Sequence, residues 1–247
     1  MKSSHIATFF VALLVGGLFC LSLFSMRGLQ KLEAAPLVRK AIDEPQRGEE
    51  YARRAGEVLN GDATTAFALA RWLTLQRQPK LAVVLLQQVV ADPGGKNDAL
   101  AWAGLAQAAA LSNNPALYKS ASEEARLKAE ATLARVNTAK PGDAKALQQF
   151  QNVGTYLSER DLGNSPKKAI IALREALRLT PNTSKDKEVQ AQALNALGYV
   201  LADRGDSQRE FDEAVTLTQQ ALQKDPDNPM IMDSYGWALF KQGKSLP

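Results

Sequence analysis

A chain of 247 residues is long enough for one sizeable folded domain with appendages, and 45% hydrophobic content with only 11 prolines and 16 glycines excludes a low-complexity polymer. The formal charge of +4 is partly local: without Lys2, Arg27 and Lys31, which flank the first apolar run, 27 basic residues face 26 acidic ones, too even a balance for nucleic-acid binding by bulk electrostatics. The single cysteine (Cys20) and single histidine (His5) lie in or beside that run, which excludes an intramolecular disulfide, an ordinary zinc site within one chain and a Ser-His-Asp or Cys-His centre further along.

Ile6 to Ser25 is uncharged over 20 residues. As a helix it would span about 30 Å, the thickness of a bilayer hydrocarbon core. Residues 6–25 therefore read as a membrane anchor within an N-terminal segment 1–28. A cleaved signal peptide is the competing reading, although its apolar region is usually about 7–15 residues and no small-x-small pair follows here. Counting basic residues, Arg27 and Lys31 would hold the C-terminal side in the cytoplasm. A short lysine-bearing tail before a long helical domain has the shape of an export-directed anchor, which puts the repeats on the non-cytoplasmic side.

Residues 29–45, interrupted by Pro36, read as a stalk. Gln46 to Leu59 carries one apolar face through Tyr51, Ala55, Val58 and Leu59 and is stopped by Asn60-Gly61. Asp62 caps a first hairpin, Ala63 to Gln76 and Lys80 to Ala91, with Pro79 at its turn. Asp98 opens a second unit with Trp102, Leu105, Ala106 and Ala109, followed by a long helix over 116–136. That helix carries a continuous stripe from Tyr118 to Val136; Glu123, Glu124, Arg126 and Lys128 form its solvated side. Trp72 and Trp102 fall in apolar stripes and read as core. Pro141-Gly142 ends this degenerate region, 46–142.

The clearest pattern lies in 143–247. Phe150, Val153, Gly154 and Leu157 are followed by Ala169, Ala176 and Pro181. Leu194, Leu197, Gly198 and Leu201 are followed by Ala214, Ala221 and Pro226. Gly154 maps to Gly198, Ala169 to Ala214, Ala176 to Ala221 and Pro181 to Pro226, so the segment is an internal repeat. Met232, Tyr235, Gly236 and Leu239 restart the motif, and no second helix follows before Pro247. This last helix is apolar nearly all round, which reads as an incomplete final repeat: an interface, or the edge of a fragment of a longer protein.

These residues resemble the tetratricopeptide repeat family, and with the apolar N-terminal run a bacterial-type membrane-anchored member. The copies depart from the usual unit of about 34 residues: Ser207 to Glu210 lengthen a turn and Asn182 to Val189 a linker. The resemblance implies an all-α fold, a tetratricopeptide-like helical-hairpin solenoid forming a right-handed superhelix, preceded by a single N-terminal transmembrane helix. It implies a non-catalytic scaffold that holds a protein or peptide partner on the first helices, with no cofactor and no metal. The groove positions it implies are Gln148, Gln151, Thr155 and Glu159, then Asn195, Tyr199 and Asp203, then Asp233 and Trp237. The family's basic, asparagine-rich carboxylate clamp is not reproduced; only Asn195 matches it. A self-associating module closing through the last helix, with Trp237 at a homo-oligomer interface, is the alternative. No glycine-rich phosphate loop occurs, and paired carboxylates such as Asp43-Glu44 and Glu49-Glu50 sit in charged helical surroundings.

Overall fold

The computed structural model describes residues 29–181, 183 and 186–243. The expected membrane span, residues 6–25, lies outside them. No helix among the described residues is long and apolar enough to cross a membrane. All regular structure among the described residues is helical: α1 (Leu29–Asp43), α2 (Gly48–Leu59), α3 (Ala63–Leu75), α4 (Pro79–Ala91), α5 (Pro93–Lys96), α6 (Ala99–Leu111), α7 (Pro115–Leu133), α8 (Ala144–Ser158), α9 (Pro166–Leu179), α10 (Lys187–Arg204), α11 (Gln208–Lys224) and α12 (Pro229–Gln242). The chain divides into two compact units, Met1–Lys128 and Ala129–Pro247.

Side-chain oxygens fix most helix starts by accepting otherwise unpaired backbone N–H groups. Asp62 accepts from Thr65 N at 3.2 Å, Asp98 from Leu100 N at 2.9 Å and Asp143 from Ala146 N at 2.9 Å. Pro79, Pro166 and Pro229 occupy first-turn positions, where a missing N–H costs nothing. Asn60 (φ 48°) and Gly61 (φ 78°) adopt left-handed backbone and stop α2.

In the first unit α1 pairs with α2 and α3 with α4, while α4 also packs on α2 and α6. Leu69, Leu73, Leu85, Leu86 and Leu105 fill the core. The stretch expected to be a stalk belongs to it: α1 continues through Pro36 and buries Ala34, Val38 and Ala41. Trp72 and Trp102 pack at the core margin, and Trp102 Nε1 donates to the Lys96 carbonyl at 2.9 Å.

In the second unit α8 pairs with α9 and α10 with α11, and α12 packs on both α10 and α11. The repeated small residues sit where helices approach. A Cβ on Gly154 would lie 2.5 Å from Leu173 Cγ, and one on Gly198 2.7 Å from Thr218 Cγ2. Ala169, Ala176, Ala214 and Ala221 are all at most 1% exposed. Polar bonds tie one repeat to the next. Arg174 makes a bidentate pair with Glu213 at 2.6 and 2.7 Å. Arg204 donates to the Ser158 carbonyl and to Asn164 Oδ1, each at 2.6 Å. Gln190 Nε2 donates to the Pro181 carbonyl at 2.7 Å, while within the second repeat Lys224 donates to Gln190 Oε1 at 2.7 Å.

Candidate functional site: the first-helix face of the second unit

The repeat register puts corresponding positions of α8, α10 and α12 in rows. Gln151 corresponds to Asn195 and Asp233; Thr155 to Tyr199 and Trp237; Glu159 to Asp203 and Lys241. Four-residue steps along each helix keep each set on one side of it.

Contacts bring part of this set together. The Tyr199 phenol is pushed up to about 12, first by burial and then by the charges of Asp203, Glu159 and Asp233, with Arg160 opposing. Side chains from three helices therefore share one neighbourhood. Arg160 lies 3.7 Å from Asp203, with the arginine side chain 70% exposed; ion pairs this open contribute little. Asp233 is exposed and forms no ion pair among the described residues. Two atoms on this face, Asn195 Oδ1 and Trp237 Nε1, are shielded from solvent and have no hydrogen-bond partner among the described residues. A buried polar atom without a partner costs about 1–3 kcal/mol.

The remaining positions are less engaged with that neighbourhood. Gln148 is exposed and donates to Asn152 Oδ1 at 3.1 Å, within its own helix. Thr155 Oγ1 donates to the Gln151 carbonyl at 3.1 Å, again within α8. Trp237 stacks on Phe240 with ring centroids 5.4 Å apart, and Lys241 Nζ sits 5.6 Å from the Trp237 ring and 5.5 Å from that of Phe211. Lys241, Arg160 and Phe211 are absent from the set read from sequence. The Asp233-Trp237-Lys241 spacing held the signal for the lysine. Phe211 lies on a second helix, which the motif neighbours do not sample.

No group of three or more His, Cys, Asp or Glu residues arranged to hold a metal occurs among the described residues. Chemically, the face carries carboxylates and the stacked rings of Trp237 and Phe240.

Comparison with known proteins agrees with the repeat architecture. The family model described as the plant specific mitochondrial import receptor subunit TOM20 matches residues 120–240. A TPR repeat-containing protein of Pseudomonas aeruginosa is 34% identical over 100 residues, a stretch that covers 40% of this chain and 16% of that relative. The paired glycines and alanines, the helical hairpins they close and both similarities agree: this is an all-α helical-repeat chain similar to tetratricopeptide-like repeat proteins.

Proposed function

We propose that the protein is a non-catalytic scaffold, attached to a membrane through residues 6–25, that holds a segment of another protein on α8, α10 and α12. One observation supports the reading: the charges of Glu159, just past the end of α8, and of Asp233 on α12 both act on Tyr199 of α10, as neighbours on a shared surface would. The similarity to a family described as a receptor subunit supports protein binding, and the uncharged run Ile6 to Ser25 supports attachment, with the repeats on the non-cytoplasmic side. The test is purification of the full chain from its native membrane in mild detergent, beside Tyr199→Ala. A stoichiometric partner retained by the parent and lost from the variant is expected. Equal retention by both would place the binding surface elsewhere.

A second reading, self-association through α12, is favoured by the exposure of Met232 (49%) and Phe240 (67%). Phe240→Glu should then convert an oligomer to a monomer by light scattering. Identical masses for parent and variant would dismiss it.

A further inference from the structure

The repeat register contains a place that two repeats fill and the third leaves open. In the first two, the second helix covers the glycine of the first helix. Leu173 of α9 lies where a Cβ on Gly154 would go, and Thr218 of α11 lies where one on Gly198 would. Gly236 holds the same position in α12. Four residues before these glycines stand Phe150, Leu194 and Met232, which are 0%, 7% and 49% exposed. Four residues after the second and third stand Ala202 and Phe240; Ala202 is fully buried, whereas Phe240 is 67% exposed. Met232, Gly236 and Phe240 lie one turn apart along one side of α12. That side is turned by about 100° from the row of Asp233 and Trp237.

The helix layer continues to this place. α10 lies between α9 and α11, whereas α12 receives α11 on one side and no described helix follows on the other. What α9 and α11 bring to the equivalent place shares one pattern: Ala169, Leu173 and Ala176 in α9, and Ala214, Thr218 and Ala221 in α11, all at most 3% exposed. An alanine is followed by a medium side chain four on and an alanine three further, while Lys168 and Gln219 face solvent on the same helices. Small side chains suit an approach to a glycine backbone, and Met232 and Phe240 supply the large apolar groups at either end. We propose that this side of α12 docks an amphipathic α-helix of a partner protein, seated as α9 sits on α8 and α11 on α10, with alanines seven apart beside Gly236. Helices held in this way use anchors at three-, four- and seven-residue steps. In a second copy of the chain both helices with this pattern are buried in their own hairpins, so the occupant comes from a different protein. The surface is separate from the first-helix face and does not depend on it.

The test titrates the full-length chain in detergent into a fluorescent synthetic peptide with the α11 sequence, Gln208–Lys224, with the peptide in detergent alone as the blank. Binding should be saturable. Phe240→Glu should weaken it about tenfold or more, as loss of an anchor does; the side chain is exposed, and unchanged helical circular dichroism checks the fold. A peptide carrying Thr218→Glu should bind as weakly, because a carboxylate at the close-approach position would be desolvated beside Gly236. Ile171→Glu, which adds the same charge at another exposed apolar site, should bind the peptide like the parent. No saturable binding by the parent, binding indifferent to Phe240→Glu, or equal binding of the Thr218→Glu peptide would overturn the proposal. Equal weakening by Ile171→Glu would reduce the result to an effect of charge and overturn it too. So would a dimer by light scattering that Phe240→Glu dissociates and the peptide leaves intact, since the surface would then belong to a second copy.

Discussion

Glu175 shows how one polar side chain can set a local structure. It is 3% exposed and accepts from Asn137 N at 2.8 Å and from Arg178 Nε and Nη2, each at 2.7 Å. Arg178 also donates to the Ala139 carbonyl at 2.7 Å, so the pair fastens the turn before α8 onto α9. The Arg178 guanidinium foremost, with the Asn137 N–H, holds the carboxyl below the usual carboxylate range. A carboxyl lowered in the folded state stabilises the fold above its unfolded value, near 4.3, and loses that contribution as pH falls through the folded value. Glu175→Gln should cost about 1–3 kcal/mol near neutrality. Its deficit relative to the parent should shrink on acidification in denaturant melts; a deficit independent of pH would refute the assignment. Tyr199 supplies a second residue-scale test. Its phenol should titrate near 12, and Asp203→Asn should lower that value in a tyrosine-resolved NMR titration. No change would mean that Asp203 does not face the ring.

At the scale of elements, the repeated glycines and caps make the strongest claims. A Cβ on Gly198 has no room beside Thr218 and the Ala214 carbonyl. Gly198→Val should therefore push α10 from α11 and cost about 1–3 kcal/mol, read from urea midpoints. A neutral result would show that the hairpin is looser than described. Ser207 caps α11 through Glu210 N at 3.3 Å, and Glu210 returns bonds to Asp206 N and the Ser207 hydroxyl at 2.8 and 3.0 Å. Ser207→Ala should cost about 1 kcal/mol; no measurable loss would show that this reciprocal cap does not hold the helix start.

Such elements are legible in sequence because their signals are local. Asp62, Asp98 and Asp143 each stand directly before a periodic run, and small residues recur at fixed places. The helical stretch Leu29–Asp43 was legible, but its continuity through Pro36 and its packing into the first unit were not. An interior proline costs about 3 kcal/mol, while burial of Val38 alone returns about 1.5–3 kcal/mol. Ala34 and Ala41 add to that on the same packed side. The candidate face was half legible. Motif neighbours give Asn195, Tyr199, Asp203, Asp233 and Trp237, but not Arg160 beside Asp203 or the Phe211 ring under Lys241.

For the whole molecule, the proposed attachment through residues 6–25 predicts that the full chain stays with membranes in alkaline carbonate while a chain starting at Leu29 is released. Release of both would remove the anchor from the account. The central claim is the binding face itself, and site-specific photocrosslinking in native membranes tests it most directly. A crosslinking amino acid at Thr155, on the first-helix side of α8, should yield one defined partner adduct. The same group at Ile171, on α9 and 48% exposed, should yield none. Adducts from Ile171 with none from Thr155 would contradict the assignment of the binding surface to α8, α10 and α12.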